Sequence, residues 1–479
     1  MLCCLNKGIN VPKKAACPQK VRADPHCYFC PHVWLEKPTR QAAGIVLLLL
    51  HSAHFSTHID FLMNSITPVA DTHPEIHWTE NGETLNADWR SESGMSPPRR
   101  VVIADDTMTA DTAYRFACEG TGMLWRVDFQ NARQLLQALA RRVDRPSRKS
   151  AKAAKAAKAA KATQATKAAA EAKPGLVTDS AMPDAFHRHR LTQSQRARAL
   201  GMVLIPFDPD HSIPLRRAPD VKQACTEAYG DAERPYVTSL RELLGMVGAH
   251  EWRKKGVLIP PSEGLETFRI HPHYGVFAPV RTDYVPLVAQ APLPEALAAK
   301  SLAFDIGTGT GVLAVILAKR GVARVIATEN NPRAVLCAKE NLQKLGLQNQ
   351  VEVSDADLFP EGRAALVVCN PPWVPARPSS ALEHAIFDPD SRMLRGFLEG
   401  LSSHLLPGGE GWLILSDFAE HLQLRSRQQL LDMIESAGLR VLGKIEAKPT
   451  HAKVADVSDA LHSARAAEVI SLWRLAATQ

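Results

Sequence analysis

Four acidic or amide side chains, Asp305, Glu329, Asp357 and Asn370, follow four short apolar runs between residues 302 and 370, and they hold this chain's clearest chemistry. Phe304-Asp305-Ile306 passes into Gly307-Thr308-Gly309-Thr310-Gly311 and then into a helix-like apolar stretch from Val312. Strand, glycine turn and helix in that order let the backbone approach a ligand closely and offer it unpaired N–H groups. That is a nucleotide-type pocket, but Val312 replaces the third glycine of G-x-G-x-x-G, which disfavours a dinucleotide. The second run ends at Glu329, 24 residues after Asp305, where a carboxylate can accept both hydroxyls of a ribose. The third leads to Asp355 and Asp357, and the fourth ends at Asn370-Pro371-Pro372-Trp373. The Asn370 side-chain oxygen and the Pro371 carbonyl are two acceptors for one NH2 group. Consecutive prolines stiffen the turn and hold Asn370 extended. Trp373 offers a face to a flat amide or base, a contact worth about 1–3 kcal/mol for a nucleobase. The alternatives are plain: Asn-Pro-Pro also makes a simple turn, a lone Asp at a strand end is often a cap, and Cys369 reads as a buried strand residue.

Positioning these groups takes a sheet. Four strands alternating with helical patterns predict an α/β, doubly wound parallel sheet, with ligands beyond the carboxyl ends of its strands. Runs at 412–416, 439–442 and 468–473, with a helix over 427–437, supply three more strands.

With D-x-G-x-G-x-G and NPPW at this spacing, residues 265–479 resemble the class I S-adenosylmethionine-dependent methyltransferases. The similarity is to release-factor glutamine methyltransferases of the HemK type and to the small-domain ribosomal RNA methyltransferases. The resemblance implies a Rossmann-like seven-stranded domain with an antiparallel last strand and S-adenosyl-L-methionine as cofactor. It implies cofactor binding by Asp305, Gly307, Thr308, Gly309, Gly311, Glu329 and Asp357. Asp305 would organise the loop around the methionine portion, and Asp357, or failing it Asp355, would read the adenine amino group. Asn370, Pro371, Pro372 and Trp373 would be catalytic, turning the lone pair of a planar amine towards the methyl group. The lead-in Tyr274 to Tyr284, with Pro279-Val280-Arg281, is similar to the family's Pro-x-Arg segment over the pocket; Thr282 and Asp283 could instead cap a helix. The activity implied is N-methylation, first of a glutamine side chain in a protein of the translation apparatus. The alternatives are N2-guanine or N6-adenine in ribosomal RNA or other nucleic acid, or a non-catalytic binding module on the same scaffold.

The rest of the 479 residues divides by composition. Residues 1–62 have no sustained period and read as a disordered extension or a mis-assigned start, and 63–98 as a polar lead-in. A βαβα pattern over 99–145, resumed over 176–264, predicts a smaller α/β accessory domain without chemistry of its own. Tyr236 to Val247 looks helical. An Ala/Lys-rich basic linker, 146–175, lies between the two parts. Its lysines at every third position spiral round any helix, so it reads as solvated, or as a nucleic-acid tether. Net charge is +7 overall, yet 301–479 has 18 Lys and Arg against 20 Asp and Glu, a net of −2. The first 300 residues therefore carry +9, of which +7 lies in Arg148–Lys173, so the basicity belongs to that tract; a basic helix is expected separately over 185–200, with His187, Arg188, His189, Arg190, Arg196 and Arg198.

Cys27-x-x-Cys30 has no second pair at finger spacing, and His187-x-His189 and His271-Pro272-His273 have no suitable partners, so no metal is expected. Scattered single cysteines fit a reducing compartment. The apolar run 42–50 is nine residues, too short to span a membrane. A cytoplasmic protein is expected.

Overall fold

Asn81 and Gly82, at φ 52° and 86°, join β1 (Glu75–Glu80) to β2 (Glu83–Trp89). Two successive positive φ values are what a two-residue type I′ hairpin demands. This computed structural model describes residues 73–145, 181–378 and 381–478. The extension 1–62, the Cys27–Cys30 pair and the Ala/Lys tract lie outside the described residues. The hairpin corrects the reading of 63–98 as a lead-in. Ile76, Ala87 and Trp89 are buried with Leu124, Leu204 and Val237, so the hairpin is an integral edge of the first sheet.

That sheet has six strands in the order β1-β2-β6-β5-β4-β3, where β3 is Arg100–Ala104, β4 Thr121–Trp125, β5 Val203–Phe207 and β6 Tyr236–Ser239. The predicted helices form at Ala110–Glu119, capped by Thr109, and Phe129–Val143, capped by Asp128, and their apolar faces pack on the sheet. Tyr236 to Val247 is corrected: Tyr236-Val237-Thr238-Ser239 is a fully buried strand, and the helix Leu240–Lys255 begins only after Ser239 caps it. Aromatic and β-branched side chains favour that strand. A small sheet of β7 (Val257–Ile259) and β8 (Phe268–Ile270) spans the expected boundary at 264.

The second large sheet is the predicted one. β9 (Leu302–Ile306), β10 (Arg324–Glu329), β11 (Val351–Asp355), β12 (Ala364–Cys369), β13 (Leu405–Ser416), β14 (Leu439–Ala447) and β15 (Ile470–Ala477) lie in the order β11-β10-β9-β12-β13-β15-β14. Every neighbouring pair is parallel except those of β15, which runs antiparallel to β13 and β14. β9 and β12 are buried throughout, as strands covered on both faces must be. The helix Val312–Lys319 is apolar all round, and every residue but Lys319 is buried. Strand order reverses between β9 and β12, which opens a crevice at their carboxyl ends.

The two large sheets share contacts. Arg333 donates to Glu92 at 2.7 Å and to the Ala228 carbonyl at 2.6 Å, tying the helix Pro332–Lys344 to the first sheet's loops. Arg253 and His273 both meet Glu340, at 2.9 and 2.8 Å, and the His271 ring nitrogen Nδ1 lies 2.7 Å from the Arg253 carbonyl. The His271–His273 pair is thus structural. No group of three or more metal-ligating side chains occurs among the described residues, and none of their helices is long and apolar enough to cross a membrane.

Candidate active site

Register brings the candidate residues together. Ala327 of β10 and Val368 of β12 both face Asp305 of β9, while Glu329 faces Asp355 across β10 and β11. Glu329 and Asn370 each lie two residues beyond those partners, so both stand level with Gly307 at one sheet edge.

Asp305 is completely buried. Its Oδ2 accepts from Thr308 Oγ1 at 2.6 Å and from the Ala314 N–H at 3.0 Å, while Oδ1 is buried without a hydrogen-bond partner. Burial pushes this carboxyl up to about 6, against the downward pull of those two bonds. Gly307, Gly309 and Gly311 have φ of 70°, 57° and 84°, which explains the glycines. A Cβ on Gly307 would come within 2.3 Å of Met393 Cε, whereas one on Gly309 would meet nothing within 4 Å. Gly309 therefore faces open space. Thr308 is buried, and its N–H bonds to the Thr328 carbonyl at 2.9 Å. Three backbone N–H groups hold Glu329: Gly309 on Oε2, Asn330 and Asn331 on Oε1, each at 3.0 Å. A carboxylate has about four lone-pair sites, so one remains for a ligand hydroxyl.

Asp357 is exposed at the same edge, with Asn330 Nδ2 at 3.3 Å, but its carboxylate pairs with Arg392. The neighbouring cleft of about 560 Å³ is lined by Leu358, Asp390, Arg392, Arg395, Gly396 and Glu399.

On the other side of the crevice Pro371 is buried and Asn370, Pro372 and Trp373 are half-buried. Trp373 Nε1 donates to Asn370 Oδ1 at 2.9 Å. The sequence suggested only a stacking face; the indole N–H also fixes the amide, leaving the second Oδ1 lone pair for an NH2 donor. Trp373→Phe would keep the stacking face and lose this fastening. A hydrogen bond of about 0.5–1.5 kcal/mol is lost, so turnover should fall about 2- to 10-fold while cofactor affinity holds. Initial rates beside cofactor titrations would check this.

Sequence reasoning assigned no role to Asp388, which accepts from the Met393 and Leu394 N–H groups at 3.0 and 3.1 Å. That cap aims the helix Arg392–His404 so that Met393 covers Gly307. The signal was the acidic residue just before an apolar helical period. Asp283 does not cap the helix Val285–Gln290 as proposed: its Oδ1 accepts from Thr450 N and Oγ1 at 3.1 and 2.8 Å. The basic helix Ala181–Leu200 lies across the segment after the NPPW turn. Phe186 is buried with Val374 and Phe418, against Trp373. Arg190 donates to the Arg377 carbonyl at 2.7 Å and to Glu383 at 2.9 Å and sits 4.0 Å from the Phe387 ring centroid, and Arg196 pairs with Asp144. Those cations are engaged within the protein.

The arrangement fits S-adenosylmethionine on its own geometry. The unpartnered Asp305 Oδ1 calls for a cationic or N–H donor, Gly309 leaves open space, and Glu329 is held level with both.

Residues 267–439 match the family described as "Methyltransferase small domain". Among curated proteins, the release factor glutamine methyltransferase of Cereibacter sphaeroides is 34% identical over 150 residues, 28% of this chain and 51% of that protein. The ribosomal protein L11 methyltransferase of Symbiobacterium thermophilum is 34% identical over 110 residues, 23% of this chain and 36% of that protein. A putative protein N5-glutamine methyltransferase of Methanocaldococcus jannaschii is 28% identical over 147 residues, 29% of this chain and 70% of that protein. The chain spans about half the length of the first of these relatives and about a third of the second. Family match, strand order and glycine loop agree: residues 267–439 are similar to the methyltransferase small domain and have a class I, Rossmann-like fold suited to S-adenosylmethionine.

Proposed function

We propose that this protein methylates the side-chain amide nitrogen of a glutamine in a protein of the translation apparatus, using S-adenosylmethionine. The observation that supports this most is the β9–β12 register, which stands Asn370 beside Gly307, with Asn370 Oδ1 fastened by Trp373 at 2.9 Å. The cofactor, when bound, supplies a methyl group on a sulfonium. Asp305 and the glycine loop would hold its methionine end, Glu329 its ribose and Asp357, which now pairs with Arg392, its adenine. An amide nitrogen is a poor nucleophile because its lone pair is delocalised. Asn370 Oδ1 and the Pro371 carbonyl accept its two N–H groups, which turns the lone pair towards the methyl carbon, so catalysis is mainly positioning. Met393 and Trp373 wall the crevice.

The named activities of the relatives support a protein acceptor over RNA. So do the net −2 of residues 301–479 and the internal pairing of Arg190 and Arg196. The Ala/Lys tract is then a linker. Incubation with methyl-labelled cofactor and fractionated lysate tests the proposal: label should be lost to protease and survive nuclease. Label released by nuclease would transfer the reading to a guanine or adenine acceptor.

A further inference from the structure

Beyond β13, on the far side from Asn370, the same sheet edge carries polar groups to which no role has been given. Ser416 ends β13 and pairs in register with Ile470, the first residue of antiparallel β15, so Glu468 stands just above that edge. Glu468 is 3% exposed. Its Oε1 accepts from Ser416 Oγ at 2.7 Å, and Ser416 Oγ itself accepts from the Phe418 N–H at 3.0 Å. The second carboxylate oxygen, Oε2, is buried without a hydrogen-bond partner.

Two other segments converge here. The Asp283–Thr450 bonds fasten the lead-in carrying Arg281 beside His451. Arg281 acts electrostatically on both Glu468 and His451, yet among the described residues it lies in no ion pair with Glu468. The His451 ring nitrogen Nε2 is also buried without a partner. Burial, with Arg281 nearby, brings the His451 ring down to about 4, so it is neutral at pH 7. Phe418, which follows Ser416-Asp417, packs in one apolar cluster with Trp373, so these polar groups and the NPPW turn border the same packed cluster.

A buried acceptor with no donor costs about 1–3 kcal/mol, and more if charged. Such atoms call for an explanation, and beside a candidate active site a ligand donor is one with a testable consequence. The donor cannot be the target NH2 if Asn370 and Pro371 take both of its hydrogens. A polypeptide brings a further N–H with every residue, spaced about 3.3–3.6 Å along an extended chain, and β12 and β15, on either side of β13, lie two strand spacings or about 9.6 Å apart. The long glutamine side chain together with a flanking residue covers that span. A phosphodiester chain would instead bring negative charge towards Glu468 and Asp417. We propose that Glu468 Oε2 receives a main-chain N–H of the polypeptide substrate next to its target glutamine, making the Glu468–Ser416–Arg281 cluster a peptide-binding subsite. This rests on the protein-glutamine reading.

The test uses full-length protein with acetyl-Ala-Ala-Gln-Ala-Ala-amide and the same peptide N-methylated at the alanines flanking glutamine. Wild type should show a KM about tenfold or more higher for the N-methylated peptide, the loss expected for a hydrogen bond to a charged acceptor. Glu468→Gln should raise KM for the plain peptide by a similar factor, with the loss on KM rather than kcat, and should lose little more with the N-methylated one. The modified peptide probes the contact without touching the fold; a thermal melt and a cofactor titration check that the variant is folded. Equal wild-type KM for the two peptides, or losses that simply add in the variant, would overturn the subsite while leaving glutamine methylation standing. Neither peptide labelled, with a guanine- or adenine-bearing oligoribonucleotide labelled instead, would overturn both.

Discussion

Asn370→Ala is expected to lower methyl transfer by about 10²–10³-fold while cofactor affinity stays within a few-fold of the starting value. The substitution removes one of two acceptors that orient the target nitrogen, and losing one preorganised polar partner in a catalytic site has that scale of effect. It leaves Asp305, Glu329 and Asp357 in place, and none of them bonds to Asn370 among the described contacts. It also frees the Trp373 indole N–H, whose one described side-chain partner is Asn370 Oδ1. Trp373→Ala should cost less, because it removes the fastening and the stacking face but neither acceptor. Single-turnover rates for the two variants, beside calorimetry with S-adenosylmethionine, would check the order. Equal turnover by wild type and Asn370→Ala would make the motif a turn and leave a binding module as the better reading.

Asp305→Asn is expected to move stability and cofactor binding in opposite directions. With its carboxyl pushed from 3.8 up to about 6, folded Asp305 holds its proton where the unfolded chain has released it. Stability from this group is therefore highest at low pH, is lost as pH rises from 3.8 to about 6, and stays lost above that. At about 1.36 kcal/mol for each pH unit, that interval corresponds to at most about 3 kcal/mol. Asparagine carries no charge to bury, so the free variant should be about 1–3 kcal/mol more stable than wild type at pH 8 and show little difference near pH 4. On the proposed reading the same exchange removes the anion that would face the cofactor's cationic end, and S-adenosylmethionine should bind about 10- to 100-fold more weakly, the scale of a lost charge-assisted bond. In wild type, binding should weaken as pH falls below about 6. Melts at the two pH values and cofactor titrations decide the matter. A variant less stable at pH 8, with unchanged affinity, would mean that Asp305 is a loop brace and not a cofactor ligand.

The site was largely legible in the sequence because its parts are local. Asp305, three alternating glycines and seven apolar residues lie in one continuous stretch, and their backbone angles are dictated within the segment itself. The same holds for Asn370-Pro371-Pro372, where each proline restricts its predecessor. One local signal was overlooked: Asn81-Gly82 between alternating apolar residues is a hairpin sequence, and it turned a supposed lead-in into the edge of a sheet.

By itself, then, the sequence determined the strand–loop–helix units, the acids and amide at their ends, and the resemblance of residues 267–439 to the methyltransferase small domain. Tertiary structure decided which strands are neighbours. Nothing local says that β12 pairs with β9, or that β15 inserts between β13 and β14, because those choices follow from burying both faces of the sheet and from connections that span many residues. That pairing sets Asn370 beside Gly307 and brings Glu468 to the same edge. Likewise the basic helix Ala181–Leu200 reads as a solvated face until Phe186 is seen buried near Trp373 and Arg190 spent on Glu383, 193 residues away. A charged or aromatic side chain carries no mark of its partner in the chain around it; only the folded contacts show whether it faces water, a ligand or its own protein.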